Sequence, residues 1–199
     1  MTMADFLPAL PEAMLAVVGM ALLMYGVFRG NRSTLQVSWL TVAAFAAAGL
    51  MLWFGPEGRQ LAFAGLFVND DFAVFMKLLV LAGSAFAVIM SRRYMELEEL
   101  VRFEFPVLVL YATLGMMMMI SANNLIALYL GLELQSLCLY VLAAINRDRQ
   151  RSSEAGLKYF VLGALSSGLL LYGISLIYGF AGSTSFEALA LAFADGAPT

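Results

Sequence analysis

The chain has no histidine and a single cysteine, Cys138. Their scarcity removes zinc, haem, iron–sulfur and Ser-His-Asp chemistry in their usual forms. One cysteine also forbids an intrachain disulfide, and inside an apolar run it reads as a small buried hydrophobe. Charge is equally scarce: Asp, Glu, Lys and Arg together make up 13% of the 199 residues, about half of what a soluble domain carries. No basic patch exists beyond short clusters between hydrophobic runs, which argues against nucleic acid. There is no GxGxxG fingerprint for a dinucleotide. Asp5 and Glu12 precede the first hydrophobic run, with no positive n-region before it and no small-residue cleavage site after it, so it is not a signal peptide. Any proton that moves here must move on Glu, Lys, Tyr and water.

What fills the space is apolar: 62% hydrophobic residues and a mean hydropathy of +0.87. This predicts an all-α, polytopic transmembrane helical bundle. Six spans can be drawn, at about 11–28, 35–54, 71–90, 105–120, 125–145 and 154–180, each close to the roughly 20 apolar residues a bilayer needs. Pro11 and Glu12 suit the first turn of the first span, and Gly55-Pro56 ends the second. A charged connection covers 91–104, and Gly182-Ser183-Thr184-Ser185 precedes a short amphipathic helix at 186–193.

The loops orient the bundle. Arg29, Arg32, Arg92, Arg93, Arg102, Arg147, Arg149 and Arg151 fall in alternate loops, whereas the others hold only Arg59, alongside Glu57, Asp70 and Asp71. By the positive-inside bias the N-terminus faces out. The sequon Asn31-Arg32-Ser33 then lies on the cytoplasmic side and is discarded.

Near the middle of the fifth span sits one acid, Glu133. An ionised carboxylate at that depth costs about 2.5–3.5 kcal/mol on insertion scales, and intramembrane acids default to ion or proton pathways. On a helical wheel Tyr129, Ser136 and Tyr140 fall within about 60° of it, and Gln135 lies opposite. The acid therefore heads a narrow polar stripe. The competing reading is a protonated carboxyl acting as interhelical glue.

The other polar groups divide more evenly. Lys158, one to two turns inside the sixth span, follows Glu154 by four residues. It is either half of an exposed helix pair or the positive partner of Glu133, whose ionisation it would tune. Lys77 lies close to the outer surface with Asp70 and Asp71 on adjoining turns, and is expected to snorkel outward. Asn123 and Asn124 read as turn caps, and Met116 to Met119 as adaptable packing. Gly156, Gly163, Ala164, Ser167, Gly168 and Gly173 form a small-residue packing face on the sixth span. Gly163 to Gly168 lacks the spacing, strand and histidine of a nucleophile elbow.

The stretches GLELQSLCLYVLAA (131–144) and SSEAGLKYFVLGALSSGLLLYGISLIYGFAGSTSF (152–186) closely resemble the subunit N family of bacterial proton-pumping NADH–quinone oxidoreductase, respiratory complex I. Residues 105–137 and the opening Leu10-Pro11-Glu12 support it, while the first hundred residues agree in helix layout more than in motif. The resemblance implies an antiporter-like subunit of roughly fourteen helices with two inverted five-helix repeats, each holding a broken helix. Residues 1–102 would be three accessory helices with their loop, and 103–199 the first three helices of the first repeat. Glu133 matches the family's membrane glutamate, and Lys158 the lysine of its GLKYF motif. Further functional lysines would lie beyond Thr199, so the chain reads as the N-terminal part of a longer subunit. The resemblance implies no cofactor on this chain, with NADH, FMN, iron–sulfur clusters and quinone in other subunits. It also implies the neighbouring antiporter-like subunit M and small subunit K as partners, and a bacterial inner membrane with the N-terminus on the periplasmic side. A subunit of a multi-subunit Na+/H+ antiporter is the alternative; a helical scaffold with no transport role is a third reading.

Overall fold

The computed structural model describes residues 3–56, 58–98 and 100–194; Glu57 and the stretch 195–199 lie outside them. After a 3-10 turn at Met3–Ala9, the chain forms α1 (Leu10–Arg29), α2 (Thr34–Trp53), α3 (Asp71–Leu97), α4 (Glu104–Ile120), α5 (Leu125–Ala143), α6 (Gln150–Ala181) and α7 (Phe186–Ala194). The stretch Phe6–Trp53, which holds α1 and α2, is long and apolar enough to cross a membrane, as are α3, α5 and α6. The 17-residue α4 is shorter, about 25 Å at 1.5 Å per residue.

Helix α4 is the hub. Leu110, Thr113 and Met117 on it are fully enclosed, and its apolar face meets Leu15 and Leu22 of α1, Phe45 and Leu52 of α2, and Leu81 and Val88 of α3. The fully buried Met117 lies within the methionine run, which packs as expected. On its other side α4 meets α5 with almost no intervening side chain. A methyl group on Gly115 would lie 2.7 Å from both the Gly131 carbonyl oxygen and the Gln135 nitrogen. Paired glycines thus let the two backbones touch. Helix α6 packs on α5 and, at its end, on α7, where Phe180 stacks on Phe193, and much of the rest is open, with Leu157, Leu162, Leu165 and Leu169 exposed.

Two differences from the sequence reading concern element ends. Helix α3 continues to Leu97, past the expected stop at Met90, and α6 begins at Gln150 instead of 154. Both extensions carry arginines at the membrane edge, where a helix can project into water without loss. A third difference is a small antiparallel hairpin, β1 (Gln60–Ala62) with β2 (Phe67–Asn69), between α2 and α3. Its turn puts Phe63, Ala64 and Gly65 at φ values of 51°, 55° and 86°, a left-handed run that non-glycine residues seldom adopt.

That hairpin ties the ends of several helices together. Val68 N–H donates to the Ser121 carbonyl at 2.8 Å and Asn123 N–H to the Leu66 carbonyl at 3.0 Å. The Asn123 side chain donates to the Gly65 carbonyl at 2.8 Å. One step further, Leu125 N–H donates to the Thr184 carbonyl at 3.0 Å. Asn124 caps α5 by accepting from Ala127 N–H at 2.6 Å. At the opposite end of the bundle the arginine loops meet: Arg149 pairs with Glu98 at 3.0 Å and Arg102 with Asp148 at 3.6 Å.

Candidate functional site

The polar stripe of α5 faces α6. Tyr129 Oη lies 2.9 Å from Ser167 Oγ on that helix. Tyr140 stands edge-on to Tyr159, with ring centroids 4.8 Å apart, and to Phe160 at 5.8 Å. Gly163 makes room for its phenol, which any side chain there would strike. On the α5 wheel Tyr140 and Ser136 flank Tyr129 by about 20° on either side, and Glu133 by about 40°. Gly131 and Gln135, which touch α4, are on the far side. Glu133 is therefore held on the α5–α6 seam, away from the apolar hub.

Glu133 is half-buried, but its Oε1 is enclosed and accepts no hydrogen bond from the described residues. A buried acceptor without a donor costs on the order of 1–3 kcal/mol, more if charged, so this oxygen needs a proton, a water or a cation. Ser136 is half-buried one turn along. The stripe descends toward the arginine end, where Tyr140 lines a cleft of about 500 Å³ with Arg102, Glu104 and Arg147. Glu104 is a residue the sequence reading passed over. Its Oε2 is also enclosed without a partner, a feature its position at a loop–helix junction did not announce.

Lys158 is not brought to Glu133. It pairs at 2.5 Å with Glu154, one turn earlier on α6, and both side chains are more than half exposed. Of the small-residue face on α6, Gly156 abuts Ala144, just past the end of α5, and Gly163 abuts Tyr140 of α5, while a methyl added at Gly168 or Gly173 would meet no neighbouring atom of the described residues. Cys138 is buried, as anticipated.

Lys77 corrects an expectation. It does not snorkel: its side chain is 0% exposed and its Nζ lies 2.6 Å from Glu12 Oε1. It also donates to Asn69 Oδ1 at 2.9 Å and sits 4.7 Å from the Phe67 ring centre. The hairpin roofs the outward route, so the ammonium turns across the bundle to α1. Asp70, one of the two acids nearest Lys77 in sequence, is occupied in capping α3 through Ala73 N–H at 2.7 Å. A lysine in one apolar run and a glutamate in another were visible separately; the hairpin that joins them was not. Among the described residues no group of His, Cys, Asp and Glu could hold a metal.

Comparison with known proteins agrees with this architecture. Residues 122–198 match the family described as NADH:quinone oxidoreductase/Mrp antiporter, transmembrane. The chain is 65% identical over 192 residues to NADH-quinone oxidoreductase subunit N of Paramagnetospirillum magneticum, covering 96% of this chain and 39% of that protein. Against the same-named protein of Parvibaculum lavamentivorans it is 57% identical, covering 98% and 41%. A chain in the structure of respiratory complex I from Thermus thermophilus with bound aureothin superposes with a TM-score of 0.73 at 36% identity, over 88% of this chain and 38% of that one. This chain thus spans about two fifths of the length of the relatives it matches.

Proposed function

The chain belongs to the antiporter-like membrane-subunit family of NADH–quinone oxidoreductase, and we propose that within such a complex it contributes to proton translocation. The driving reaction, NADH oxidation and quinone reduction, takes place in other subunits, where the cofactors reside. This chain supplies part of a multi-pass membrane subunit with its N-terminus on the periplasmic side. Residues 1–102 form the accessory helices and 103–199 the start of the first repeat. Its neighbours are other membrane subunits, with subunits M and K as the adjoining ones.

One observation carries the reading: a mid-membrane acid whose enclosed Oε1 has no donor among the described residues, aligned with three hydroxyl side chains. Glu133 is the group that takes up and releases a proton. Water hydrogen-bonded along Tyr129, Ser136 and Tyr140 would connect it to the cleft at the arginine end. The carboxylate form requires a positive partner to offset burial. Lys158, paired with Glu154 on the face of α6 turned away from Tyr159 and Gly163, would serve as a relay with Glu154 and not as the direct partner of Glu133.

The test is a pair of substitutions in the complete subunit, Glu133→Ala and Glu133→Gln, with NADH-driven proton uptake followed in inverted membrane vesicles. Both should assemble, and both should lower the number of protons moved per NADH oxidised. Unchanged pumping in assembled enzyme would remove Glu133 from the path. Unchanged pumping in Glu133→Gln alone would favour the scaffold reading, in which the side chain only hydrogen-bonds its surroundings.

A second reading rests on the matched family's own description, which spans Mrp antiporters as well. There the same stripe would exchange a cation for a proton, driven by a gradient. Co-purification with quinone-reducing subunits supports the first reading; sodium-stimulated exchange without them supports the second.

A further inference from the structure

At the arginine end, away from the α5–α6 seam, a pocket of about 200 Å³ opens where α2, α3 and α4 meet. Three arginines from three different elements line it: Arg32 before α2, Arg92 on α3 and Arg102 before α4. One acid, Glu96, lines the same pocket, and the nearest acids neutralise the three arginines only partly. Arg92 is 3.9 Å from Glu96, and Arg102 is 3.6 Å from an Asp148 that is itself 80% exposed. Each guanidinium carries five donors in a fork matched to phosphate, so most remain unused. The volume is several times that of a water in the liquid, about 30 Å³.

The floor of the pocket is not that of a site for a soluble anion. Leu35, Val88 and Pro106 line it beside the arginines, and a tight surface slot between α2 and α3, too narrow to admit a water, runs on from Ser38 and Val88 past Val42 and Ile89. Trp39 marks the mouth of that slot. It is 53% exposed and its ring lies 5.4 Å from the Arg92 guanidinium, the level at which tryptophan sits at a membrane–water boundary. A cationic rim over an apolar trough is the shape of a molecule with an anionic head and a hydrocarbon tail.

We propose that this pocket binds one anionic phospholipid, with its phosphate among Arg32, Arg92 and Arg102 and an acyl chain lying over the exposed α2–α3 surface at Trp39 and Ile89. Bound there, the lipid would tie the first two cytoplasmic-side connections to α4 without touching Glu133. The assignment is independent of the proton-carrying role.

The test uses the assembled complex in phosphatidylcholine vesicles doped with phosphatidylglycerol carrying a photoreactive acyl chain. Crosslinks should map to the stretches 35–42 and 88–92. Unlabelled phosphatidylglycerol should suppress them, and inorganic phosphate should not. Arg92→Gln and Arg102→Gln should each lower the labelling about fivefold, the weight of one basic residue at an anionic surface. Equal labelling by a photoreactive phosphatidylcholine would mean ordinary boundary lipid and would overturn the proposal. So would unchanged labelling in the variants, or competition by inorganic phosphate, which would make this a free-phosphate site. If a variant fails to assemble, the crosslink map and the competition on the unaltered complex decide alone.

Discussion

A buried charge is tolerated only with its partner, and Lys77 shows how strictly that applies. Its ammonium, sealed beneath the hairpin, faces Glu12 across 2.6 Å and Asn69 across 2.9 Å. Removing one member of such a pair leaves the other charge uncompensated and costs about 3–5 kcal/mol, whereas replacing both by apolar groups of similar volume is often neutral. Lys77→Met should therefore lower the thermal inactivation midpoint of the purified complex sharply, and Glu12→Met likewise. The double substitution should recover most of the loss. Additive losses in the double variant would show that the two charges do not depend on each other. Glu133 stands in a different position. Among the described residues it has no ion-pair partner, and its Oε1 accepts no hydrogen bond from them.

Among the elements, the contact between α4 and α5 is the most demanding, because it is made by backbone. A methyl on Gly115 would meet Gly131 and Gln135 backbone atoms at 2.7 Å, with no flexible side chain to yield. Gly115→Ala should push the helices apart and cost about 1–3 kcal/mol, read as less subunit in the purified complex. Gly83 on α3 offers the control: nothing of the described residues lies within 4 Å of a methyl there. Gly83→Ala should leave the yield unchanged or slightly higher, since alanine is favoured over glycine in a helix interior by about 0.5–1 kcal/mol. The spans themselves were legible in the sequence because bilayer-length apolar runs separated by arginine clusters leave little choice. Which glycines carry contacts was not. Gly163 and Gly168 look alike in sequence, but only the former meets a neighbour, the ring of Tyr140, because contact depends on helix rotation and on what packs alongside.

For the whole molecule, asymmetry between the two ends is the property the sequence expressed best. Arginines from three separate connections gather at one end, through the Arg149–Glu98 and Arg102–Asp148 pairs and the pocket of Arg32, Arg92 and Arg102. The other end is closed by the hairpin and by backbone bonds among the turns at Ser121–Asn124 and Thr184. Glu133 and its stripe were legible for the same reason, as an acid and hydroxyls repeating at helical spacing. The Lys77 pair was not, because it depends on a ten-residue hairpin, Gln60 to Asn69, too short and too mixed in composition to be recognised before folding. The asymmetry has a direct consequence for orientation. If the arginine end faces the cytoplasm, residues on opposite ends must differ in access to a reagent that cannot cross the bilayer. With Cys138 and any further cysteine of the complete subunit replaced by alanine, a cysteine introduced at Arg59 should react with a membrane-impermeant maleimide in right-side-out vesicles. One introduced at Arg147 should react only in inverted vesicles. The label is read on the tagged, purified subunit, so cysteines of other subunits do not interfere. The reverse pattern would turn the bundle over, and with it the side to which the cleft at Tyr140 and Glu104 opens.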